Sequence, residues 1–120
     1  MKLDIKSILT VIRRRKNSLK NKEPSHLSLQ TTCFQVTHFM NAHLEGADLR
    51  NAHLEKVYLE KAYLEGAHFE GVDLSNASLK EAKNLIINQL YDVKTLYNAE
   101  LDESLRSLLI EKYPTLFDEP

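Results

Sequence analysis

Between Leu27 and Ala82 a large apolar residue recurs at every fifth position. These centres are Leu29, Phe34, Phe39, Leu44, Leu49, Leu54, Leu59, Leu64, Phe69, Leu74 and Leu79. Two places before each stands a smaller, mostly apolar residue: Leu27, Thr32, Thr37, Ala42, Ala47, Ala52, Val57, Ala62, Ala67, Val72 and Ala77. The other three positions are mainly polar. An internal repeat this regular has to be read before any local propensity. On an α-helix a five-residue step rotates successive centres by about 140° and scatters them around the cylinder. On a strand an odd step sends alternate centres to opposite faces. A backbone that bends once per repeat keeps every centre inside.

The bend has its own marker. If the turn begins at the centre, its third residue lies two places later, where a type II turn needs positive φ and favours Gly or Asn. That slot holds Asn41, Gly46, Asn51, Gly66, Gly71 and Asn76, which includes every glycine of the chain. Val36, Lys56 and Lys61 occupy the same slot. Their corners are therefore expected to use another turn type.

The motif A-(D/N)-L-x-x, seen as AHLEG, ADLRN, AHLEK, AYLEG and VDLSN, resembles the pentapeptide-repeat family over about residues 27–83. His or Tyr often stands where that family favours Asp or Asn. The resemblance implies an all-β solenoid, a right-handed quadrilateral β-helix with four repeats per coil. Eleven repeats then give slightly under three coils, with residues twenty apart stacked at about 4.8 Å. The inward columns become Leu29–Leu49–Phe69, Phe34–Leu54–Leu74, Phe39–Leu59–Leu79 and Leu44–Leu64. The tail Asn84–Phe117 is similar to the helical tails that follow such repeats in many cyanobacterial members.

The flanks divide the chain into three segments. In 1–26, Ile5, Ile8, Leu9 and Ile12 predict a short N-terminal helix. It is followed by the basic run Arg13–Lys16 and a mobile link over residues 16–26, with Pro24 marking entry to the repeats. Residues 27–83 form the repeat body. In 84–120 the phase breaks at Asn84 and the spacing turns helical. Leu90, Val93, Leu96 and Tyr97 share one helical face. Asp102 reads as the N-cap of a second helix carrying Leu105, Leu108 and Leu109, stopped near Pro114. A short solenoid has two raw ends, so all three helices are expected to be caps. The C-terminal pair is also a candidate partner-binding element.

Charge sharpens this division. Residues 1–23 carry eight Lys/Arg against Asp4 and Glu23, a net of +6, while the rest of the chain nets −7. The expected role of the basic arm is contact with the acidic body and solubility. Contact with a membrane surface is disfavoured, because the arm has no Trp or Phe and its apolar stripe is short. No apolar run approaches the roughly 18 residues of a membrane span, and Lys6 interrupts anything resembling a signal peptide. The lone Cys33 allows no internal disulfide and no multi-cysteine metal site, so a reducing, cytoplasmic location is expected.

Candidate chemistry is sparse. The outward slot before each centre holds His38, His43, His53 and His68 as well as Tyr58 and Tyr63. Stacking by twenty places His53 over Asp73 and Asp48 over His68. Such pairs lack a neighbouring nucleophile and a pocket. A metal needs three or four ligands converging within about 2.0–2.2 Å, and these histidines fall on different sides. No catalytic, cofactor-binding or metal-binding residue is expected, and no small-molecule substrate. The slot after the centre holds Glu45, Glu55, Glu60, Glu65 and Glu70. Arg50–Glu70, Glu60–Lys80 and Lys61–Glu81 are expected ladders, each stabilising by a few tenths of a kcal/mol. Glu45 over Glu65 is a like-charge stack, either a contact for a cation or basic partner or simply tolerated in water.

The expected function is a non-enzymatic scaffold for protein–protein interaction, with no cofactor and no partner named by the sequence. Its candidate contact surface is Tyr58 and Tyr63 with His38, His43, Glu45 and Glu65, since aromatic anchors favour interfaces. The alternative comes from the family resemblance: some members resemble duplex DNA and act on DNA gyrase. A DNA-mimic modulator of gyrase or another DNA-binding protein is disfavoured here. Residues 34–83 carry eight acids against five bases, and fewer than three coils imitate DNA poorly.

Overall fold

Every repeat closes on a hydrogen bond from the third residue after its centre. The Thr32 N–H donates to the Leu29 carbonyl at 3.3 Å, Ala47 to Leu44 at 3.0 Å, and Ala82 to Leu79 at 3.2 Å. The computed structural model describes residues 27–120. The helix, basic run and link expected over 1–26 lie outside the described residues.

All corners from Thr31 (φ 57°) to Glu81 (φ 58°) adopt the left-handed conformation at the slot two places after the centre. Val36 (63°), Lys56 (60°) and Lys61 (60°) are no exception, which corrects the expectation of a different turn there. The reason lies in the neighbouring turn of chain. The Val36 N–H donates to Glu55 O, Lys56 to Ser75 O and Lys61 to Lys80 O. A corner of another shape would break these bonds. The left-handed cost of about 1–2 kcal/mol for a residue with a Cβ is the smaller loss.

Residue i pairs in parallel with residue i+20, from Ser28–Asp48 and Cys33–His53 through to Tyr63–Lys83. Each twenty-residue lap thus lies on the one before it. Centres donate in one direction (Phe34 N to His53 O, 2.8 Å) and the preceding residues in the other (His53 N to Thr32 O, 2.9 Å). Only one residue per repeat bridges between bends, so the pairing is a series of isolated bridges and no extended strand forms among the described residues. The centres are all buried, together with the small residues from Ala47 to Ala77. Burying a Leu or Phe contributes roughly 1.5–3 kcal/mol, and this column supplies most of the driving force.

The C-terminal segment departs from its helical reading. No helix forms over Leu90–Tyr97. After a 3-10 turn at Ile87–Gln89 the five-residue pattern resumes. Thr95 bridges Asp73 and Glu100 bridges Ser78, both now 22 residues apart. Leu96 and Leu101 are buried centres, and Asn98 (φ 57°) is the corner between them. A helix would have satisfied its own backbone and left the third lap's edge bare. Here Leu74 N donates to Thr95 O and Leu79 N to Glu100 O.

The one α-helix among the described residues, α1, spans Glu103–Lys112, and a 3-10 turn at Pro114–Phe117 follows. Two caps were expected to be helices, and one of them is replaced by this partial fourth lap. Leu109 is buried, Leu105, Leu116 and Phe117 pack on the core, and Leu96 N donates to Leu116 O at 2.7 Å. Asp102 is the N-cap residue of α1 but makes no side-chain cap bond. Its carboxylate accepts instead from Glu81 N–H at 3.0 and 3.2 Å, closing an edge the partial lap leaves open. Gln89 closes another: its side-chain amide donates to Leu64 O (2.8 Å) and Ala67 O (3.0 Å) and accepts from Ile86 N–H (3.0 Å). Among the described residues no helix is long and apolar enough to cross a membrane.

Candidate functional site

In-register laps put flat side chains at stacking distance. The His38 imidazole lies on the Tyr58 ring with centroids 4.5 Å apart and planes 3° from parallel. On the adjoining side His43 lies on Tyr63 at 4.3 Å and 4°. The Lys83 ammonium sits 5.6 Å from the Tyr63 centroid, continuing that column with a cation over the ring.

Beside these stacks the first lap exposes apolar surface. Along 36–40 the backbone alternates, so Thr37 and Phe39 are buried while Val36, His38 and Met40 face out. Val36 is 55% and Met40 52% exposed, and Tyr58 in the next lap is 39% exposed. Val36 and Tyr58 line a shallow depression with Lys56, Glu60, Ser78 and Lys80. The sequence reading singled out Tyr58 and His38 but missed Val36 and Met40. Their signal was there: Val stands in a corner slot that favours Asn or Gly, and Met stands in a slot that is polar or charged in every other repeat.

The expected imidazole–carboxylate stacks have the right register and the wrong partners. His53 bridges Asp73 and Asp48 bridges His68. Their side chains, however, turn along the chain. His53 Nδ1 lies 3.2 Å from Glu55 Oε1 and His68 Nδ1 3.8 Å from Glu70 Oε1, as His43 Nδ1 lies 3.2 Å from Glu45 Oε2 on another side. Asp73 Oδ1 accepts from Ser75 N–H (3.0 Å) and Oγ–H (2.8 Å). Residues i and i+2 flank one centre on the same outward side, so they meet before residues of neighbouring laps do. The imidazole–carboxylate pairs that form among the described residues therefore lie within one lap, as at His43–Glu45 and His53–Glu55, and not between laps. Among the described residues no group of three or more His, Cys, Asp or Glu is placed to hold a metal ion.

Asp48 is the extreme case. It is 1% exposed and accepts from Arg50 Nε (2.9 Å), Arg50 Nη2 (2.8 Å), the Arg50 N–H (3.2 Å) and the Gln30 amide. Hydrogen bonding to the Arg50 guanidinium holds its carboxyl well below the usual range, against the opposing effect of burial. Arg50 thus pairs with Asp48, and the expected Arg50–Glu70 ladder is not its salt bridge. Lys61–Glu81 does form, at 3.8 Å with both side chains more than half exposed, and contributes little. Glu65 and Cys33 are exposed at the surface.

A family sequence profile described as pentapeptide repeats matches residues 37–76 and 52–83, in eight copies. No curated protein sequence matches the chain.

Proposed function

We propose that this chain, which matches the pentapeptide-repeat profile over residues 37–83, is a non-enzymatic scaffold that binds another protein. Its stacked laps are read as a right-handed, four-sided β-helix. The contact surface is the pair of adjoining sides that carry His38, Tyr58, His43 and Tyr63, with Glu45 and Glu65 at its edge.

The observation that carries this reading is the ring stacking beside exposed Val36 and Met40. Rings held rigid by stacking lose little conformational freedom on binding, which is what an interface anchor needs. The two flat sides offer area rather than an enclosed pocket, which suits a protein surface better than a small molecule. The DNA-mimic alternative is weaker. A mimic needs its acids free, whereas Asp48 is tied to Arg50 and Glu81 to Lys61.

The test is affinity capture from the native host with the full chain and with a Tyr58→Ala/Tyr63→Ala variant. A partner retained by the native chain and lost by the folded variant is the expected result. Equal capture by both chains rules these two sides out as the contact. Inhibition of gyrase supercoiling by the purified chain would favour the DNA-mimic reading instead.

A further inference from the structure

The two tyrosine columns are filled differently. Each ring has one face on a first-lap histidine, Tyr58 on His38 and Tyr63 on His43. The other face meets the third lap, at Ser78 in one column and Lys83 in the other. The Lys83 ammonium lies 5.6 Å from the Tyr63 centroid, and Tyr63 is only half-exposed. Ser78 is too short to cover a ring, and Tyr58 is exposed. Among the described residues no cation stands over it. One column thus carries its own cation, and the other lacks one at the same register.

The surroundings of the open face suit a cation brought from outside. Tyr58 and Ser78 line a shallow depression of about 540 Å³, with Glu60 and Lys80 along one corner, Lys56 along the other, and Glu100 in the fourth lap. Glu60 Oε1 is enclosed and has no hydrogen-bond partner. A carboxylate oxygen in that position is unfavourable, and a ligand that brings a donor relieves it. The Glu60–Lys80 ladder expected from the sequence does not form. Among the described residues Glu60, Glu100, Lys56 and Lys80 make no ion pair. Elsewhere opposite charges find each other, as at Asp48–Arg50 and Lys61–Glu81. The four charges of this one depression are left for a partner to meet.

We propose that this depression receives an arginine side chain of the protein that the scaffold binds, an inference that rests on the scaffold reading. The guanidinium lies on the open face of Tyr58, as the Lys83 ammonium lies over Tyr63, and donates to the Glu60 carboxylate. Arginine fits better than lysine. Its planar group stacks on a ring while its edge N–H groups still reach carboxylates to the side. Lys56 and Lys80 on the rims repel a bare cation, so the residues flanking the arginine are acidic and meet those two ammoniums. The recognised element is an arginine set between acids, and a purely basic patch is rejected.

The test titrates the full chain with two capped tripeptides, followed by NMR of the tyrosine rings. One peptide is arginine between two glutamates, and the other has neutral citrulline in place of the arginine. The arginine peptide is expected to shift the Tyr58 ring saturably in the millimolar range, with the citrulline peptide about tenfold weaker. Tyr58→Ala and Glu60→Gln should each weaken the arginine peptide by about tenfold. Ser78→Lys supplies the missing cation from the chain itself, as Lys83 does, and should block the peptide while the fold stays intact. Equal binding of the two peptides means that Lys56 and Lys80 hold the acids alone, and it overturns the proposal. So does unchanged binding by Ser78→Lys, or no saturable shift up to about 10 mM peptide. Capture from the native host separates the two readings. A partner retained equally by the native chain and by Ser78→Lys overturns the arginine site and leaves the scaffold standing. A bound arginine peptide with no partner captured supports the site and counts against the scaffold.

Discussion

His38 and Tyr58 stand twenty residues apart and stack face to face, 4.5 Å between centroids and 3° from parallel. The stack is a by-product of register, since the two rings share one outward column at the spacing of successive laps. Stacking of this kind contributes about 0.5–1.5 kcal/mol. Tyr58→Ala should therefore lower stability by about 1 kcal/mol at most, because the ring is part-exposed. Chemical denaturation measures it. A loss several times larger would mean that the ring belongs to the fold rather than to a contact surface.

Val36 carries a different balance. It is a β-branched residue at φ 63° with more than half its surface in water, so it stabilises neither its corner nor the core. Val36→Asn should remove most of a strain of about 1–2 kcal/mol and raise Tm by several degrees. The reverse change at the equivalent corner, Asn41→Val, should lower it. If Val36 touches a partner, the stabilised Val36→Asn chain captures less of it, and a thermal scan beside a capture assay separates the two effects.

Gln89 is the prediction for the capped end. Its amide supplies the Ala67 carbonyl with the donor that a following lap would give, and adds a second donor to the Leu64 carbonyl, which already accepts from Ala67 N–H. Gln89→Leu keeps much of the volume and loses every donor. It should cost about 1–3 kcal/mol, measured as a shifted denaturation midpoint with unchanged slope.

Asp48 makes the acid limb of stability predictable. Its carboxyl is held below the usual range in the folded chain, so the folded state keeps the anion while the unfolded state takes up a proton first. The stabilisation is complete above the unfolded value of about 3.9 and is lost as pH falls below it. Asp48→Asn should be less stable than the native chain by about 1 kcal/mol at pH 7, softened by the half-exposed Arg50 partner. That gap should narrow from about pH 4 downward. A gap of constant size from pH 7 to about pH 2.5 would contradict the assignment.

The repeat body was legible because one rule, an apolar centre every fifth residue, dictates burial, spacing and pairing together. The corners at Val36, Lys56 and Lys61 were misread because turn preference was judged one residue at a time. The ladder to the next lap fixes the path whatever side chain is present. Leu90 to Leu101 were misread for a related reason. Their spacing fits a helical face, but Leu96, Asn98, Ala99 and Leu101 also spell one more repeat, shifted by two residues. The shift hid it. Side-chain partners such as Asp48–Arg50 were missed because the stacking argument looked across laps, while the nearest neighbours lay two residues along.

The change of interval from 20 to 22 after Lys83 also limits how such a chain can lengthen over evolutionary time. Inserting twenty residues upstream of Asn84 would return Gln89, Asp102 and α1 to the same sides of the array. An insertion of five would turn that whole terminal assembly by one side and set Gln89 against carbonyls it was not shaped to meet. Gene duplication in this protein should therefore be tolerated in whole laps and rejected in single repeats.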